Sequence, residues 1–425
     1  MKSLSVAERL SSSKSALSYC DTILFAFQTG KLREMLHFAV LEIYYWWCQV
    51  FRVSSRLIEF RQTPFLRYRP EDCLVFADLA ATLRFHNLFA VETPTKWSII
   101  TEAKDGTIFG TTLDRPHVLQ RSENLCSTPV EMFVFSRSIL AIFISDGGHL
   151  FVATKGRLYR SENDGRHFDV ALQLSHDDSF VWHNHGIDET PEGLVVGEYG
   201  SIVDRNRPPS FWKPVAHLYL TRDYGKSWRC IDYLVRNGAS KHVHLVKYSR
   251  RFGRLLVTEG DSRKRSYWIS SFKKLEDGNF NEGRFDSFSW GGGHTAFAET
   301  HNATLLGTDH HGGTNSIICL RSCGEGRARM LPSPYRRSPV MNMHCIKCGA
   351  RSILFASLQS GLRDQKSALI YSDDNGGSWH RLVEFNSSYG YFSISNGQQR
   401  LRSSLVVSFD NFITKESKTI VISAL

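Results

Sequence analysis

The sequence predicts an all-β protein, a β-propeller with a helical N-terminal segment, in which seven blades are favoured over six. Two observations support this prediction. From about residue 72 onward, short runs of β-branched and aromatic residues alternate with clusters of Gly, Asp, Asn and Ser. A turn motif also recurs in that region at intervals near 50 residues, the length of a four-stranded propeller blade.

The chain divides into two parts by composition. Residues 1–62 contain no proline and carry apolar residues at three- and four-residue spacing, which indicates helices. Pro64 and Pro70 end that pattern, so we assign residues 1–70 to a helical segment and 71–425 to the propeller.

The most apolar run, residues 35–51, is too short and too often interrupted by polar residues for a clean membrane span. A helix packed on the propeller is favoured. The aromatic residues and flanking arginines indicate peripheral membrane contact through residues 31–60 as the alternative.

Composition limits the class of protein. A net charge of +10 favours anionic partners, but no nucleic-acid-binding module, P-loop or dinucleotide fingerprint occurs, so nucleic acid is not expected as a partner. Nine cysteines at irregular spacing argue against a disulfide framework and for a reducing compartment. Because no apolar stretch follows Lys2, we expect no cleavable signal peptide and favour a cytoplasmic location. The oligomeric state is left open.

The turn motif has the form Ser/Thr-x-Asp-x-Gly-x-x-Trp. It occurs as "TRDYGKSW" at 221–228 and "SDDNGGSW" at 372–379, with a looser copy, "SENDGRHF", at 161–168. The carboxylate and hydroxyl can accept hydrogen bonds from turn N–H groups, the glycine supplies a positive φ, and the aromatic ring can fill a gap between sheets. The expected structural residues are Asp223, Gly225, Trp228, Asp374, Gly376 and Trp379.

This motif resembles the Asp-box (BNR) repeat of the sialidase-like β-propellers. The resemblance implies that each box lies on the hairpin between the third and fourth strands of a blade, away from any active site. Degenerate copies near 122, 270 and 322 fit the period, and residues 389–423 supply the strands of a further blade.

Histidines form a second repeat. "FVWHNHGIDE" and "SKHVHLVKY" each place two histidines on alternate positions of an expected strand, His183 and His185, then His242 and His244. Aligning the first strands of successive blades puts four histidines in register, and the second strands end in carboxylates at matching places. The histidines are His185, His244, His294 and His344, and the acids are Glu198, Glu259 and Asp309. In a propeller these positions meet at the mouth of the central channel.

Three roles fit such a ring. The four histidines could bind one divalent ion (Zn, Mn or Ca), with the acids as ligands or supports. Without a metal, His185 and His244 could act as bases, with Tyr199 as an acid and Arg263 as a contact for a substrate carboxylate. The third reading is an inert channel that holds water.

The histidine-rich centre resembles the propeller polysaccharide lyases of the oligogalacturonate lyase type. That resemblance implies a divalent ion and cleavage of a uronate chain by β-elimination, so the expected ligand is an acidic glycan. A sialidase-like glycosidase is the alternative enzyme. The motif "FLRYRPED" is at best a distorted form of the sialidase signature. A propeller that only binds a glycan or a protein is the third interpretation.

Overall fold

The computed structural model describes most of the chain. Described residues are 9–11, 15–28, 31–61, 66–67, 83–85, 88–204, 212–239, 241–261, 264–283, 292–362, 365–397 and 404–424. The N-terminal helices are α1 (Ala16–Gln28) and α2 (Leu32–Val50), followed by a 3-10 turn at Ser54–Arg56. The expected domain boundary at residue 70 lies outside the described residues.

Strands make up the rest of the fold. Three precede the first blade, namely β1 (Leu66–Arg67), β2 (Leu83–Phe85) and β3 (Leu88–Glu92). Blades one to three contain β4 (Trp97–Glu102), β5 (Ile108–Thr112), β6 (Val118–Ser122), β7 (Val130–Val134), β8 (Ala141–Ile144), β9 (Leu150–Thr154), β10 (Arg157–Ser161), β11 (Asp169–Gln173), β12 (Ile187–Thr190), β13 (Gly193–Gly197), β16 (Leu218–Thr221) and β17 (Arg229–Ile231), with the short pair β14 (Ile202–Val203) and β15 (Trp212–Lys213) between β13 and β16.

Blades four to six contain β18 (Val243–Ser249), β19 (Arg254–Glu259), β20 (Ser266–Ile269), β21 (Asn281–Gly283), β22 (Gly293–Glu299), β23 (Thr304–Asp309), β24 (Ser316–Leu320), β25 (Gly326–Met330), β26 (Val340–Cys348), β27 (Arg351–Leu358), β28 (Lys366–Ser372) and β29 (His380–Asn386). The last strands are β30 (Gly390–Ile394), β31 (Ser404–Asn411) and β32 (Ser417–Ala424). Two short helices, α3 (Tyr233–Arg236) and α4 (Phe272–Glu276), lie beside blades three and four.

Seven blades form the propeller, as the sequence predicts. Six are continuous antiparallel meanders, and the seventh combines β30, β31 and β32 with β3 from the other end of the chain. Strand β3 pairs antiparallel with β32, so that Leu88 lies opposite Ala424. Strand β3, from the start of the propeller, therefore completes the last blade and closes the ring.

The core lies between neighbouring blades. Phe355 and Tyr371 of blade six pack in one buried cluster with Phe392 and Phe409 of blade seven. The other blade pairs bury similar clusters. Most strands are therefore buried on both faces, which is why they read as continuous apolar runs rather than alternating ones.

The hairpins define two faces. Hairpins between strands one and two, and between strands three and four, lie on one side of every blade, which we call the box face. All six positions of the turn motif, including the degenerate copies, fall between strands three and four of blades one to six. The other side carries the second-to-third hairpins and the links between blades, and we call it the opposite face.

The turn motif is held by its own side chains. Asp374 accepts hydrogen bonds from the N–H of Ser378 at 2.8 Å and from the hydroxyl of Ser372 at 2.8 Å. Gly376 adopts φ +83° and donates its N–H to Ser372, while Trp379 is completely buried. The same contacts recur in blade three, where Asp223 accepts from Ser227 and Thr221, Gly225 has φ +85°, and Trp228 is partly buried against the core.

Helix α2 lies on the opposite face. Leu41, Tyr45 and Cys48 pack against Met330, and Glu42 forms an ion pair with Arg336 at 2.7 Å. Across the described part of the chain, we find no helix that combines the length and apolar character needed to cross a membrane.

Candidate functional site

The first histidine pair does not lie on a strand, contrary to the sequence-based prediction. Residues 183–185 form a turn before β12, because Asn184 adopts φ +65° and Gly186 donates its N–H to Trp182 O at 2.7 Å. His183 has a structural role: its Nε2–H donates to Ser395 O at 3.0 Å, and its Nδ1 lies 3.4 Å from the N–H of Ile142.

The second pair does come together. His242 immediately precedes β18, and His244 is the extra residue of a β-bulge between Val243 and Leu245. Bulges redirect side chains and are common beside functional sites. The two Nε2 atoms lie 3.0 Å apart, and both side chains are completely buried.

Asp261 completes the group and was missed by the sequence analysis. Its carboxylate oxygens lie 3.3 Å from Nε2 of His244 and 3.8 Å from Nε2 of His242. Asp261 adopts φ +80°, a conformation that aspartate tolerates better than most residues. It follows the expected acid Glu259 by two positions, which was the only available signal in the sequence. We call His242, His244 and Asp261 the His–Asp cluster.

Hydrogen bonds determine the protonation of the cluster. Nδ1 of His242 lies 2.6 Å from Gly200 O, and since a carbonyl can only accept, the proton is on Nδ1 and Nε2 keeps its lone pair. Burial lowers the pKa of His242 to about 3, so the ring is neutral at neutral pH. Burial alone would raise the pKa of Asp261, but its interaction with the adjacent His242, the hydrogen bond from His244 and the ammonium of Lys241 hold that pKa well below the ordinary value.

Aromatic rings and glycines shape the pocket around the cluster. The ring of Tyr199 lies 3.8 Å from that of His242, and Trp182 lies 4.6 Å from Tyr199. The backbones of Gly260 and Gly293 approach the imidazole of His244 so closely that neither position has room for a Cβ. Asp261 is 31% exposed, so the cluster opens to solvent through its carboxylate.

The four aligned histidines do not occupy equivalent positions, which corrects the predicted register. The bulged residues are His244 in blade four, Thr295 in blade five and Met341 in blade six. His294 therefore precedes its bulge by one residue, and His344 follows its bulge by three. Within the described residues, the only group of three potential metal ligands is the His–Asp cluster, and His185, His294 and His344 are not members.

Each of these three histidines has a distinct environment. Nδ1 of His294 lies 2.8 Å from Ser266 Oγ. The ring of His185 packs 4.9 Å from Trp182. Both ring nitrogens of His344 are buried without a hydrogen-bond partner among the described residues, and burial followed by the charge of Lys247 lowers its pKa to about 3.

The three acids of the expected rim form hydrogen bonds or ion pairs with neighbouring residues, and not with the four aligned histidines. Glu198 is completely buried and accepts hydrogen bonds from Tyr219, His217, Ser175 and Ser179. Glu259 pairs with Arg265 at 3.1 Å, and Asp309 pairs with His311 at 3.1 Å. Arg263, the expected contact for a substrate carboxylate, lies outside the described residues.

The donor set of the His–Asp cluster suits zinc or manganese. Ligand atoms held about 2.0–2.2 Å from one such ion lie about 3.0–3.6 Å from each other, close to the 3.0, 3.3 and 3.8 Å observed here. Calcium prefers six or more oxygen ligands, so two imidazoles and one carboxylate do not suit it.

Comparison with known proteins agrees with the fold. No family model and no curated relative matches the chain. Among solved structures, the chain resembles virginiamycin B lyase from Staphylococcus aureus, both in a selenomethionine form and as an inactive variant with quinupristin. Each is 15% identical with a TM-score of 0.50, over 80% of this chain and 99% of that chain.

A second similarity is to the extracellular domain of a hybrid two-component system from B. thetaiotaomicron. It is 10% identical with a TM-score of 0.50, over 79% of this chain and 40% of that chain. The class of protein is therefore a seven-bladed β-propeller. At these identities the similarities carry the fold alone.

Proposed function

We propose that the chain is a propeller lyase that binds one divalent cation, zinc or manganese, at the His–Asp cluster and cleaves an acidic oligosaccharide by β-elimination. One observation carries the proposal: two buried imidazoles and one carboxylate converge within 4.8 Å of one another at a channel mouth. The similarity to virginiamycin B lyase is compatible with this chemistry but rests on fold alone.

The cation would stabilise negative charge that develops on the substrate carboxylate when the neighbouring carbon loses its proton. His185 is the candidate base, because burial, followed by the charge of Lys247, holds its pKa well below the ordinary value and leaves the ring neutral and able to accept a proton. An approaching substrate anion favours protonation of that ring.

Tyr199 is the candidate proton donor. Burial, followed by the charges of Asp261 and Asp309, holds its pKa well above the ordinary value, so its hydroxyl stays protonated. In the reaction the C–H bond breaks, a C=C bond forms, the C–O bond to the leaving sugar breaks, and Tyr199 protonates the leaving oxygen. The phenolate then regains a proton from solvent, and His185 loses one.

The first experiment measures metal binding. The full chain, freed of metal with a chelator, would be titrated with Zn²⁺, Mn²⁺ and Ca²⁺, beside Asp261→Asn and the matched control His183→Gln, which alters a buried histidine outside the cluster. We expect one equivalent of Zn²⁺ or Mn²⁺ to bind to the wild type and the control, with weaker binding to Asp261→Asn. No metal binding by the wild type would contradict the cation role.

The second experiment identifies the reaction. A panel of uronate-containing polysaccharides would be assayed for unsaturated products by ultraviolet absorbance, and for new reducing ends. Both signals together, lost in Tyr199→Phe, support elimination. Reducing ends alone would favour the sialidase-like hydrolase. Neither signal, with glycan retention on an affinity column, would favour a binding module.

A further inference from the structure

A cavity of about 680 Å³ opens at the mouth of the channel on the box face, away from the His–Asp cluster. Its walls are the ends of the innermost strands and the first-to-second hairpins of blades two to six. The volume falls within the range of about 300–1,000 Å³ that small-molecule sites occupy.

Lys247 is the buried cation of this cavity. It lies in the middle of β18, is only 4% exposed and lines the cavity. Its ammonium has no ion pair within 4.0 Å in the part of the chain that the structure describes. Burial lowers its pKa, and Asp188 partly opposes the shift. A buried ammonium without an ion pair is costly, and an anionic ligand would offset that cost.

Four carboxylates line the cavity, and each has partners of its own. Asp146 pairs with Lys104 at 3.6 Å, and Glu189 accepts a hydrogen bond from the backbone N–H of Asp146. Glu299 accepts hydrogen bonds from Ser249, Thr304 and two backbone N–H groups, and both carboxylate oxygens of Asp188 accept from backbone N–H groups. By contrast, four further cations line the cavity and, among the described residues, form no ion pair. They are Arg250, Arg251, Lys347 and Arg351.

From this arrangement we propose a second ligand site, distinct from the His–Asp cluster, that binds a small organic anion through Lys247 and Arg351. The shared chemistry is a phosphate or carboxylate group, since ammonium and guanidinium groups bind either one. The site does not depend on the function proposed for the His–Asp cluster, because it lies at the other mouth.

The test uses the full chain and two probes, inorganic phosphate and galacturonate, measured by calorimetry and thermal shift. The variants are Lys247→Met and Arg351→Gln, with Lys226→Met as the control, an exposed cation on the box face outside the cavity. Because Arg351 is exposed, its variant is expected to fold. We expect at least one probe to bind to the wild type and the control, with affinity reduced by about tenfold or more in both cavity variants.

Binding of inorganic phosphate would identify a phosphate ligand, and binding of galacturonate would identify a carboxylate ligand. Binding of neither probe, or equal binding to all four proteins, would overturn the proposal.

A separate observation concerns the helices. Thirteen of the twenty-one exposed large apolar side chains of the described residues lie between Leu17 and Phe51. On α2 they form one stripe at helical spacing: Leu36, Val40, Ile43, Trp47 and Val50. The other side of α2 packs on the propeller, and among the described residues this stripe is covered by none.

The surroundings of the stripe suit an anionic bilayer. Trp46 is 63% exposed, and tryptophan favours the boundary between lipid headgroups and acyl chains. Arg52 and Arg56 follow the stripe, and the one acid within it, Glu42, is turned inward to Arg336. Helix α2 lies on the opposite face, the face that also carries the His–Asp cluster.

From these contacts we infer that the exposed stripe of α2, together with the exposed apolar residues of α1, binds the surface of an anionic lipid bilayer. Binding in this way would turn the opposite face, with the His–Asp cluster, toward the membrane. An amphipathic helix that lies in the interface, rather than a spanning helix, is the form that this composition supports.

Co-sedimentation with vesicles tests the inference. Vesicles of phosphatidylcholine mixed with phosphatidylglycerol would be compared with phosphatidylcholine alone, using the wild type, a variant with Ile43, Trp46 and Trp47 changed to serine, and the control Val130→Ser/Val170→Ser, which removes exposed apolar residues from the outer strands of blades one and two. We expect the wild type and control to bind anionic vesicles, with partitioning reduced about a hundredfold in the helix variant.

Sedimentation velocity without lipid tests the alternative that a second copy of the chain covers the stripe. Absence of vesicle binding by the wild type, or a dimer that only the helix variant loses, would overturn the bilayer inference.

Discussion

Substitution of Gly260 by alanine is expected to weaken metal binding strongly without removing any ligand. Gly260 and Gly293 flank the imidazole of His244, one from its own blade and one from the next. A Cβ at position 260 would lie 2.8 Å from Nε2 of His244, and closer still to Cε1 and Nδ1. The substitution therefore pushes directly on the coordinating ring.

The magnitude follows from these distances. Ordinary contact begins at about 3.4 Å, so Nε2 must move by about 0.6 Å, three times the tolerance of about 0.2 Å in metal–ligand distances. We expect affinity for zinc or manganese to fall about a hundredfold or more. Overpacking costs about 1–3 kcal/mol, which a domain stable by about 5–15 kcal/mol survives.

The assay is a zinc titration against a chromophoric chelator, with a thermal melt to establish folding. Gly324→Ala is the matched control, because a Cβ there meets nothing within 4 Å and the backbone needs no positive φ. A folded Gly260→Ala protein with wild-type metal affinity would refute the assignment of His244 as a ligand.

Three further predictions concern the fold. Glu198→Gln should lower stability by about 2–4 kcal/mol at neutral pH in urea unfolding, because its four donors lose a buried charge. Burial alone would raise the pKa of Glu198, but these hydrogen bonds lower it, so its contribution is complete above the ordinary value of 4.5 and is lost as pH falls through the lower folded value; an unchanged acid transition in the variant would contradict this. Asp374→Ala should cost about 1–3 kcal/mol in the same assay, since Ser378 and Ser372 lose their acceptor, and a loss below 0.5 kcal/mol would show that the turn does not need it. Deleting residues through Glu92 removes the outer strand of blade seven, so the protein should aggregate in size-exclusion chromatography, whereas a monodisperse folded product would show that ring closure by β3 is dispensable.

The blades were predictable because their signals are local. A turn built from Asp374, Gly376 and Trp379 depends on residues within eight positions of one another, and its period counts blades directly. The closing strand could not be counted this way. Leu88 and Ala424 are at opposite ends of the propeller, and only closure of the ring brings them together.

The residue types expected at the channel mouth could be read from the sequence, but the particular residues that lie together could not. Of the predicted histidines, the structure places His244 in the His–Asp cluster, and the ring of Tyr199 lies 6.1 Å from that of His244. The alignment assumed that every first strand has the same register, and a β-bulge in blades four, five and six shifts each histidine differently. A bulge depends on the pairing of two strands and leaves no reliable mark in one strand's sequence.

The sequence by itself determined the repeat, the turns and the residue types at the channel, because hydrophobic period and turn chemistry act over a few residues. Only the tertiary structure decided which histidines meet. The bulge at His244 directs its ring toward His242, and the positive φ of Asp261 brings a carboxylate from the next loop to both. Likewise, Lys247 became a buried cation without an ion pair only when five blades enclosed it. Distances between side chains on different strands are set by packing and register, which a linear pattern does not contain.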